Sequence, residues 1–361
     1  MKASKICTRR IHDSPNVQEG QANGPDNGPD SVLHEGTGAL SPIPKLQEYL
    51  EPGPVRWSSC SGWIIFYLFC LEGLSGILLL LYYRPTVSEA YESVQQITNI
   101  LHYGWLVRGV HIWGIHLLVI FLMLHLAQKI ITQSYGAALK LTWVLGILLM
   151  VLVGIIGATG HLLPWTQGSY WATTFLTQLS TAIPVIGESV KILIRGGSEV
   201  SQMTLSRFFA LHILIAPFLF TLLAGLHIFS ARRSLIPKDL LLQVLMLLVL
   251  TAMVFSLSTF SPPRISTKAD PLNSILNIKP EWYFMASYET FQLLRIMHPE
   301  KQAVSVILGI VLHLGVLLLL LLFPWFAPSQ DKAPWLKSLA CALTTFGLLI
   351  FLTLTLLGAC S

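Results

Sequence analysis

Seven long runs of apolar residues dominate the chain, and short stretches containing polar residues, glycine or proline separate them. An α-helix rises about 1.5 Å per residue, so about twenty apolar residues cross the hydrocarbon core of a bilayer. The seven runs are of that length: 61–83, 109–128, 141–163, 208–231, 240–260, 302–324 and 338–359. The pattern therefore predicts an all-α integral membrane protein with seven transmembrane helices.

The segments outside these runs differ in character. Residues 1–43 are rich in Gly, Pro, Asn, Asp and Ser and repeat the sequence NGPD, so they cannot bury a core and are predicted to be disordered. Residues 44–51 are predicted to form a short amphipathic helix on the membrane surface. The connector 161–205 is interrupted by Pro and Gly and is predicted not to span.

Histidines recur at matched depths in two of the predicted spans. His111 and His125 are fourteen residues apart, which separates them by about 40° in azimuth and about 21 Å in depth on an α-helix. His212 and His227 are fifteen apart, which gives about 60° and about 22 Å. If the helices run parallel, His111 faces His212 and His125 faces His227, as two axial imidazoles hold haem iron. A lone histidine of this kind is more often a packed core residue, but two matched pairs favour two haems.

Glycines repeat the same interval on two other predicted spans. Gly62 and Gly76 are fourteen residues apart, and so are Gly146 and Gly160. A glycine on a helix face lets a bulky group approach the backbone. Small-residue helix packing is the alternative explanation for either pair alone. Together with the histidines, the glycines favour two macrocycles stacked inside a four-helix bundle.

Composition and charge narrow the function further. Of 361 residues 53% are hydrophobic and 11% are charged, which excludes an ordinary soluble protein. The net charge of +5 is spread over loops, so no nucleic-acid partner is expected. Five cysteines occur without CxxC or CxxCH spacing, so neither a zinc site nor a standard c-type haem motif is expected.

Six motifs follow one another along the chain: YYRPTVSEAYESVQ (82–95), GWLVRGVHIWG (104–114), LPWTQGSYWA (163–172), AIPVIG (182–187), SRFFALH (206–212) and PEWY (280–283). Together they resemble cytochrome b of the quinol-oxidising cytochrome bc complexes. The resemblance covers roughly residues 45–358, in order, and is closest to the cytochrome b6 branch because one histidine pair is spaced by fifteen. In that branch the four-helix haem part and the three-helix quinol part are separate chains, whereas here they look fused. The resemblance implies a haem-binding domain over 44–235 and a subunit IV-like domain over 236–361.

The PEWY motif carries the expected chemistry of quinol oxidation. By composition alone, Pro280, Glu281, Trp282 and Tyr283 form an interfacial aromatic anchor. The resemblance implies that Glu281 accepts a quinol proton, as a general base does, and that Tyr283 is a wall of the quinol pocket. It also implies that the connector roofs this pocket, which five residues line: Tyr170, Trp171, Ile183, Pro280 and Trp282.

A third, covalently bound haem is expected at Cys60. This residue lies twenty-two positions before Tyr82, where cytochrome b6 has a cysteine that attaches a haem through one thioether bond. Arg232 matches an arginine near the propionates of that haem. Val244 replaces the aromatic residue expected over it and leaves that face more open to quinone. From sequence alone, Cys60 is an ordinary cysteine at a helix start.

Arginines near the first histidine pair are candidate partners of haem propionates, because a guanidinium group offers a permanent charge and several donors. Arg108 and Arg207 precede His111 and His212 by three and five residues, and Arg84 is close by. Snorkelling to the headgroup level is the alternative explanation. The family's second arginine, just after the first histidine, is Ile112 here, which leaves the charge balance of the first haem open.

The resemblance implies an electron-transfer subunit of a quinol oxidoreductase with bifurcated electron flow and proton translocation. Its cofactors are two bis-histidine b haems and the haem at Cys60. The expected partners are a Rieske-type iron–sulfur protein, a c-type cytochrome subunit, quinol and quinone, membrane lipid and a second copy in a homodimeric complex. The expected location is a bacterial inner membrane or a thylakoid-like membrane.

Two other functions fit parts of the pattern. A dihaem membrane anchor of another oxidoreductase would keep the histidine pairs but would not need PEWY or the last three helices. A proton-coupled transporter would use buried histidines without haem, and a reduced-minus-oxidised spectrum separates it from a cytochrome.

Overall fold

Long apolar helices make up most of the structure, a computed structural model. It describes residues 57–132, 139–231, 240–273, 279–326 and 334–360. Residues from Pro52 to Ser361 form one compact unit. The predicted disordered extension (1–43) and surface helix (44–51) lie outside the described residues, and so do the side chains of 57–60.

The helices confirm the predicted fold class. In chain order they are α1 (Trp57–Leu80), α2 (Ala90–Asn99), α3 (Gly104–Ile131), α4 (Lys140–Leu162), α5 (Gln167–Gln178), α6 (Gly187–Arg195), α7 (Gln202–Ser230), α8 (Leu240–Phe260), α9 (Trp282–Met297), α10 (Gln302–Phe326) and α11 (Pro334–Cys360). Seven helices in the described ranges are long and apolar enough to cross a membrane: α1, α3, α4, α7, α8, α10 and α11.

The transmembrane helices pack through a narrow interior and leave most of their apolar surface outside. Leu68 of α1, Leu118 of α3, Val153 of α4, Phe220 of α7 and Val254 of α8 are buried in one cluster. Since lipid tails are as apolar as leucine, close packing rather than the hydrophobic effect holds such helices together. The outward side chains are the surface that lipid covers.

One helix departs from regular geometry at a predicted site. α7 contains a π-helical turn over Leu211–Ile215, and this turn carries His212. A π turn closes i→i+5 hydrogen bonds, so it absorbs one extra residue within a single turn. α7 also begins at Gln202, before the predicted 208, where the Thr204 hydroxyl accepts a hydrogen bond from the backbone N–H of Ser201 at 3.0 Å.

The connector between α4 and α7 forms short helices, α5 and α6, joined by a 3₁₀ turn over Leu179–Ala182. Backbone hydrogen bonds tie its start to the segment before α9: Gln167 N–H donates to the Thr267 carbonyl (2.8 Å) and Ala269 N–H to that of Trp165 (3.0 Å). The Phe175 ring of α5 also lies 5.5 Å from that of Tyr288 in α9. These contacts place α9 and its preceding PEWY motif beside the connector.

Candidate functional site

The first histidine pair meets inside the bundle. The ring centroids of His111 in α3 and His212 in α7 are 6.1 Å apart, and the ring planes are inclined by 86°. A metal ion between two imidazole nitrogens, each at about 2.0 Å, requires ring centroids about 6 Å apart. The spacing therefore fits one metal ion that both rings would hold between them.

The α7 histidines are fixed by backbone carbonyl groups of α4. His212 Nδ1 lies 2.9 Å from the Ile156 carbonyl oxygen, and His227 Nδ1 lies 2.9 Å from the Thr142 carbonyl oxygen. A carbonyl oxygen only accepts, so both Nδ1 atoms carry the proton and donate it. The Nε2 lone pairs are then available to a metal, as is usual for ligating histidines.

The α3 histidines are held by side chains of α1. His125 Nδ1 lies 2.8 Å from Ser61 Oγ, which itself donates to Gln128 Oε1 at 2.7 Å and so accepts from the imidazole. His111 Nδ1 lies 3.0 Å from Glu72 Oε2 and 3.1 Å from Ser75 Oγ. His111 thus has a carboxylate partner as well as a hydroxyl partner.

The four predicted glycines each lie against one histidine ring. A Cβ atom added at Gly76 would lie 3.3 Å from His111 Cε1, and at Gly160 it would lie 2.5 Å from His212 Cε1. The corresponding distances are 3.7 Å from Gly62 to His125 and 3.2 Å from Gly146 to His227. A larger residue at Gly160 or Gly146 would push the ring aside, so these helices provide the predicted clearance.

The unequal histidine intervals are reconciled by the π turn. On a regular α-helix, fourteen and fifteen residues end about 100° apart in azimuth. The π turn at Leu211–Ile215 absorbs the extra residue of α7. The expected 60° offset of His227 from His212 was therefore based on the wrong helix geometry.

The second histidine pair borders a cavity of about 230 Å³ that His125, His227, Gly62 and Gly146 line together. A separate apolar cavity, also of about 230 Å³, lies between α1 and α8 and shares Trp63 and Phe66 with the first. Its remaining lining residues are Ile64, Tyr67, Cys70, Gln243, Met246 and Leu247.

Val244, predicted to leave room beside the Cys60 haem, is exposed in this part of α8. Cys60 lies in α1, but its side chain and all of Arg232 are outside the described residues.

The candidate arginines form ion pairs or hydrogen bonds with other groups of this chain. Arg84 is exposed and forms an ion pair with Glu89 at 2.8 Å. Arg108 is buried and donates to the Pro263 carbonyl at 2.8 Å, whereas Arg207 donates to the Leu193 carbonyl. Their contact with haem propionates stays a prediction.

The PEWY motif packs against the histidine-bearing part of the chain. Glu281 Oε1 lies 3.4 Å from His161 Nδ1 at the end of α4. Trp282 Nε1 donates to His116 Nδ1 at 2.9 Å. The Tyr283 ring lies 6.2 Å from that of His116, and a Cβ at Gly157 would lie 3.2 Å from the Tyr283 hydroxyl. α3 and α4 therefore form the wall that receives the motif.

Electrostatics at the motif differ between its two titratable residues. The His161 imidazole holds the pKa of the Glu281 carboxyl below its usual value. Burial raises the pKa of the Tyr283 phenol. At neutral pH this arrangement gives an anionic carboxylate, able to accept a proton, beside a phenol that stays neutral.

The predicted roof residues lie on the connector. Tyr170 is buried and packs edge-on against Trp171, whose Nε1 donates to the Asn273 carbonyl at 3.2 Å. Ile183 follows the 3₁₀ turn and is exposed. Pro280 is half-buried before α9. Whether they line a quinol pocket stays a prediction.

Sequence reasoning missed three residues of this site. His116 and His161 lie off the haem-facing interval, and Glu72 is an isolated acid in an apolar run. The adjacency of His161 to Gly160 and the rarity of Glu72 in a span were available signals. Their partners, however, are 39 to 166 residues away and are set by helix packing.

Comparisons with known proteins identify the family of this chain. A family model described as cytochrome b/b6/petB matches residues 46–235, and one described as cytochrome b (C-terminal)/b6/petD matches 268–361. Cytochrome b6 of Gracilaria tenuistipitata var. liui is 40% identical over 183 residues, which are 51% of this chain and 85% of that protein. Cytochrome b6 of Synechococcus sp. (strain JA-3-3Ab) is 39% identical over the same shares.

A solved structure has the same fold. A chain of a "Hyperthermophilic respiratory Complex III" superposes with a TM-score of 0.75 and 24% identity, and the match covers 87% of this chain and 86% of that one. The family models together cover both the histidine-bearing helices and the PEWY part. The chain therefore belongs to the cytochrome b/b6 family, as a membrane-embedded electron-transfer subunit of the bc and b6f type.

Proposed function

We propose that the chain is the transmembrane subunit of a quinol:electron-acceptor oxidoreductase, and that it oxidises quinol beside Glu281. The observation that carries this is the position of His116. It contacts both Trp282 and Tyr283 and lies only five residues after His111 in α3. The PEWY motif is therefore within about two helical turns of the first histidine pair.

The residues divide the work of the reaction. Glu281 accepts a proton from the quinol hydroxyl, since an ionised carboxylate at the membrane edge is a suitable general base. Trp282 and Tyr283 fix the carboxylate against α3 and α4 and exclude water from one side. His111, His212, His125 and His227 hold two b haems, which when bound supply one-electron transfer across the bilayer.

Family membership supports the wider assembly. In this proposal one electron of each quinol leaves to a Rieske-type iron–sulfur protein, and the other crosses the membrane within this chain. A c-type cytochrome subunit takes electrons from the iron–sulfur protein, and the complex is a homodimer. Movement of electrons across the bilayer, together with release of quinol protons on one side of it, then contributes to proton translocation.

Substitution of Glu281 tests the quinol-oxidation role. Glu281→Gln is expected to lower quinol turnover by about 10²-fold, because general-base catalysis typically contributes at least that much, while KM changes little. The matched control is Glu300→Gln, at an exposed carboxylate just beyond α9. Wild-type turnover of Glu281→Gln at every pH would contradict the role.

We further propose that Cys60 attaches a third haem covalently. The apolar cavity between α1 and α8 supports this, because it adjoins the His125/His227 cavity and begins one helical turn after Cys60, at Trp63. After denaturation and acid-acetone extraction, wild type should keep one haem by heme stain on a gel and Cys60→Ser none. Release of all haem from wild type would refute the attachment.

A further inference from the structure

His161 and Glu281 meet across a helix junction that brings together residues 120 positions apart. His161 is the second-last residue of α4, and Glu281 immediately precedes α9. Their Nδ1 and Oε1 atoms are 3.4 Å apart. Polar contacts at catalytic sites are often this long without substrate and tighten when substrate binds.

The Glu281 carboxylate does not cap the helix that it precedes. Glu281 occupies the position before the first turn of α9, where acidic side chains commonly accept backbone N–H groups. Here no such side-chain hydrogen bond forms. The side chain is half-buried. It lies beside the N-terminus of α9, whose partial positive charge favours an anion.

The His161 ring has one proton arrangement that suits this contact. Its Nε2 atom is buried and meets no hydrogen-bond partner among the described residues. With the proton on Nε2, the ring would leave a buried donor unsatisfied and would also turn its Nδ1 lone pair towards the Glu281 carboxylate, which can only accept. With the proton on Nδ1, the ring donates towards Glu281 instead.

The other titratable groups around the pair do not replace this donor. His116 of α3 accepts from Trp282 through its Nδ1. Tyr283 of α9 packs its hydroxyl against Gly157, and Glu72 of α1 lies against His111. His161 is the largest influence that lowers the pKa of the Glu281 carboxyl, and His116 adds a smaller one.

We propose that His161 is a positioning residue for quinol oxidation: its Nδ1–H keeps the Glu281 carboxylate ionised and directed to the substrate between turnovers. This proposal rests on the proposed function of Glu281. As one O–H bond of quinol breaks, its proton bonds to a Glu281 oxygen and one electron leaves to the oxidised iron–sulfur protein of the proposed function, so quinol loses one hydrogen atom in this step.

The expected signature is a change in pH dependence. Without the imidazole, burial is the remaining main influence and raises the pKa of Glu281. The base would then be protonated over more of the acidic range. The acidic limb of the pH–rate profile should therefore move to higher pH.

Two nearly isosteric variants separate the hydrogen bond from side-chain volume. His161→Asn places an amide donor near the Nδ1 position, whereas His161→Leu has a similar shape and no donor. In the assembled complex, His161→Leu should shift the acidic limb upward and His161→Asn should restore it towards wild type. The reduced b-haem spectrum confirms assembly of each variant, and His161→Phe replaces His161→Leu if the latter does not assemble.

The outcomes distinguish this role from the proposed function. Slow turnover of Glu281→Gln at every pH, with no further loss when His161→Leu is added, supports both. Slow Glu281→Gln combined with an unshifted His161→Leu profile refutes the positioning role alone. A Glu281→Gln variant with wild-type turnover refutes the proposed function and this role with it.

Discussion

At the scale of single residues, hydrogen bonds orient the four paired histidines. Each Nδ1 has a polar neighbour on α1 or α4, either a backbone carbonyl or a side chain. A partner at Nδ1 fixes both the tautomer and the direction of Nε2. These rings are therefore preorganised to bind a metal. Histidines packed only by apolar contacts would lack this fixed tautomer and orientation.

The same scale explains why glycine is required opposite His212. Gly160→Leu should abolish one b-haem signal, because even its Cβ would overlap the His212 ring; relief by shifting the ring costs about 1–3 kcal/mol in a packed interior. Gly154→Leu in the same helix is the control, since a Cβ there meets nothing within 4 Å. Two intact b-haem signals in Gly160→Leu would show that the position is not a haem cradle.

At the scale of elements, the π turn in α7 sets the register between two helices. His111 and His125 are separated by a regular α-helical segment, whereas His212 lies inside the turn and His227 follows it. α7 therefore has one residue more than α3 between its histidines while serving the same two levels.

This leads to a deletion experiment. Removing Leu214, which is exposed on the turn, should convert the turn to regular α-helix and preserve both b haems, because the interval becomes fourteen. Removing Ile120, which is exposed on α3, leaves thirteen residues and no turn to absorb the change. That deletion rotates the remaining histidine by about 100° and should eliminate at least one haem, as measured by redox difference spectra. Loss of haem in both deletions would contradict the role of the turn.

At the scale of the whole molecule, hydropathy was sufficient for the membrane architecture. Seven spans and the parallel histidine pairs follow from length and interval, because both depend on local helix geometry. The π turn has no local signal beyond the fifteen-residue interval itself. The contacts of His161 and His116 depend on where α9 packs, and no periodicity within α3 or α4 encodes that.

The contacts between PEWY and the first four spans have a consequence for how the two parts of the protein are synthesised and assembled. Where the two parts are separate chains, the regions that correspond to α4 and to the PEWY motif lie on different polypeptides and must meet by diffusion in the membrane. A covalent link converts that encounter into an intramolecular one, with an effective concentration on the order of millimolar for a short linker. Translation of a single message then delivers both halves in equal number, so neither accumulates as an orphan subunit.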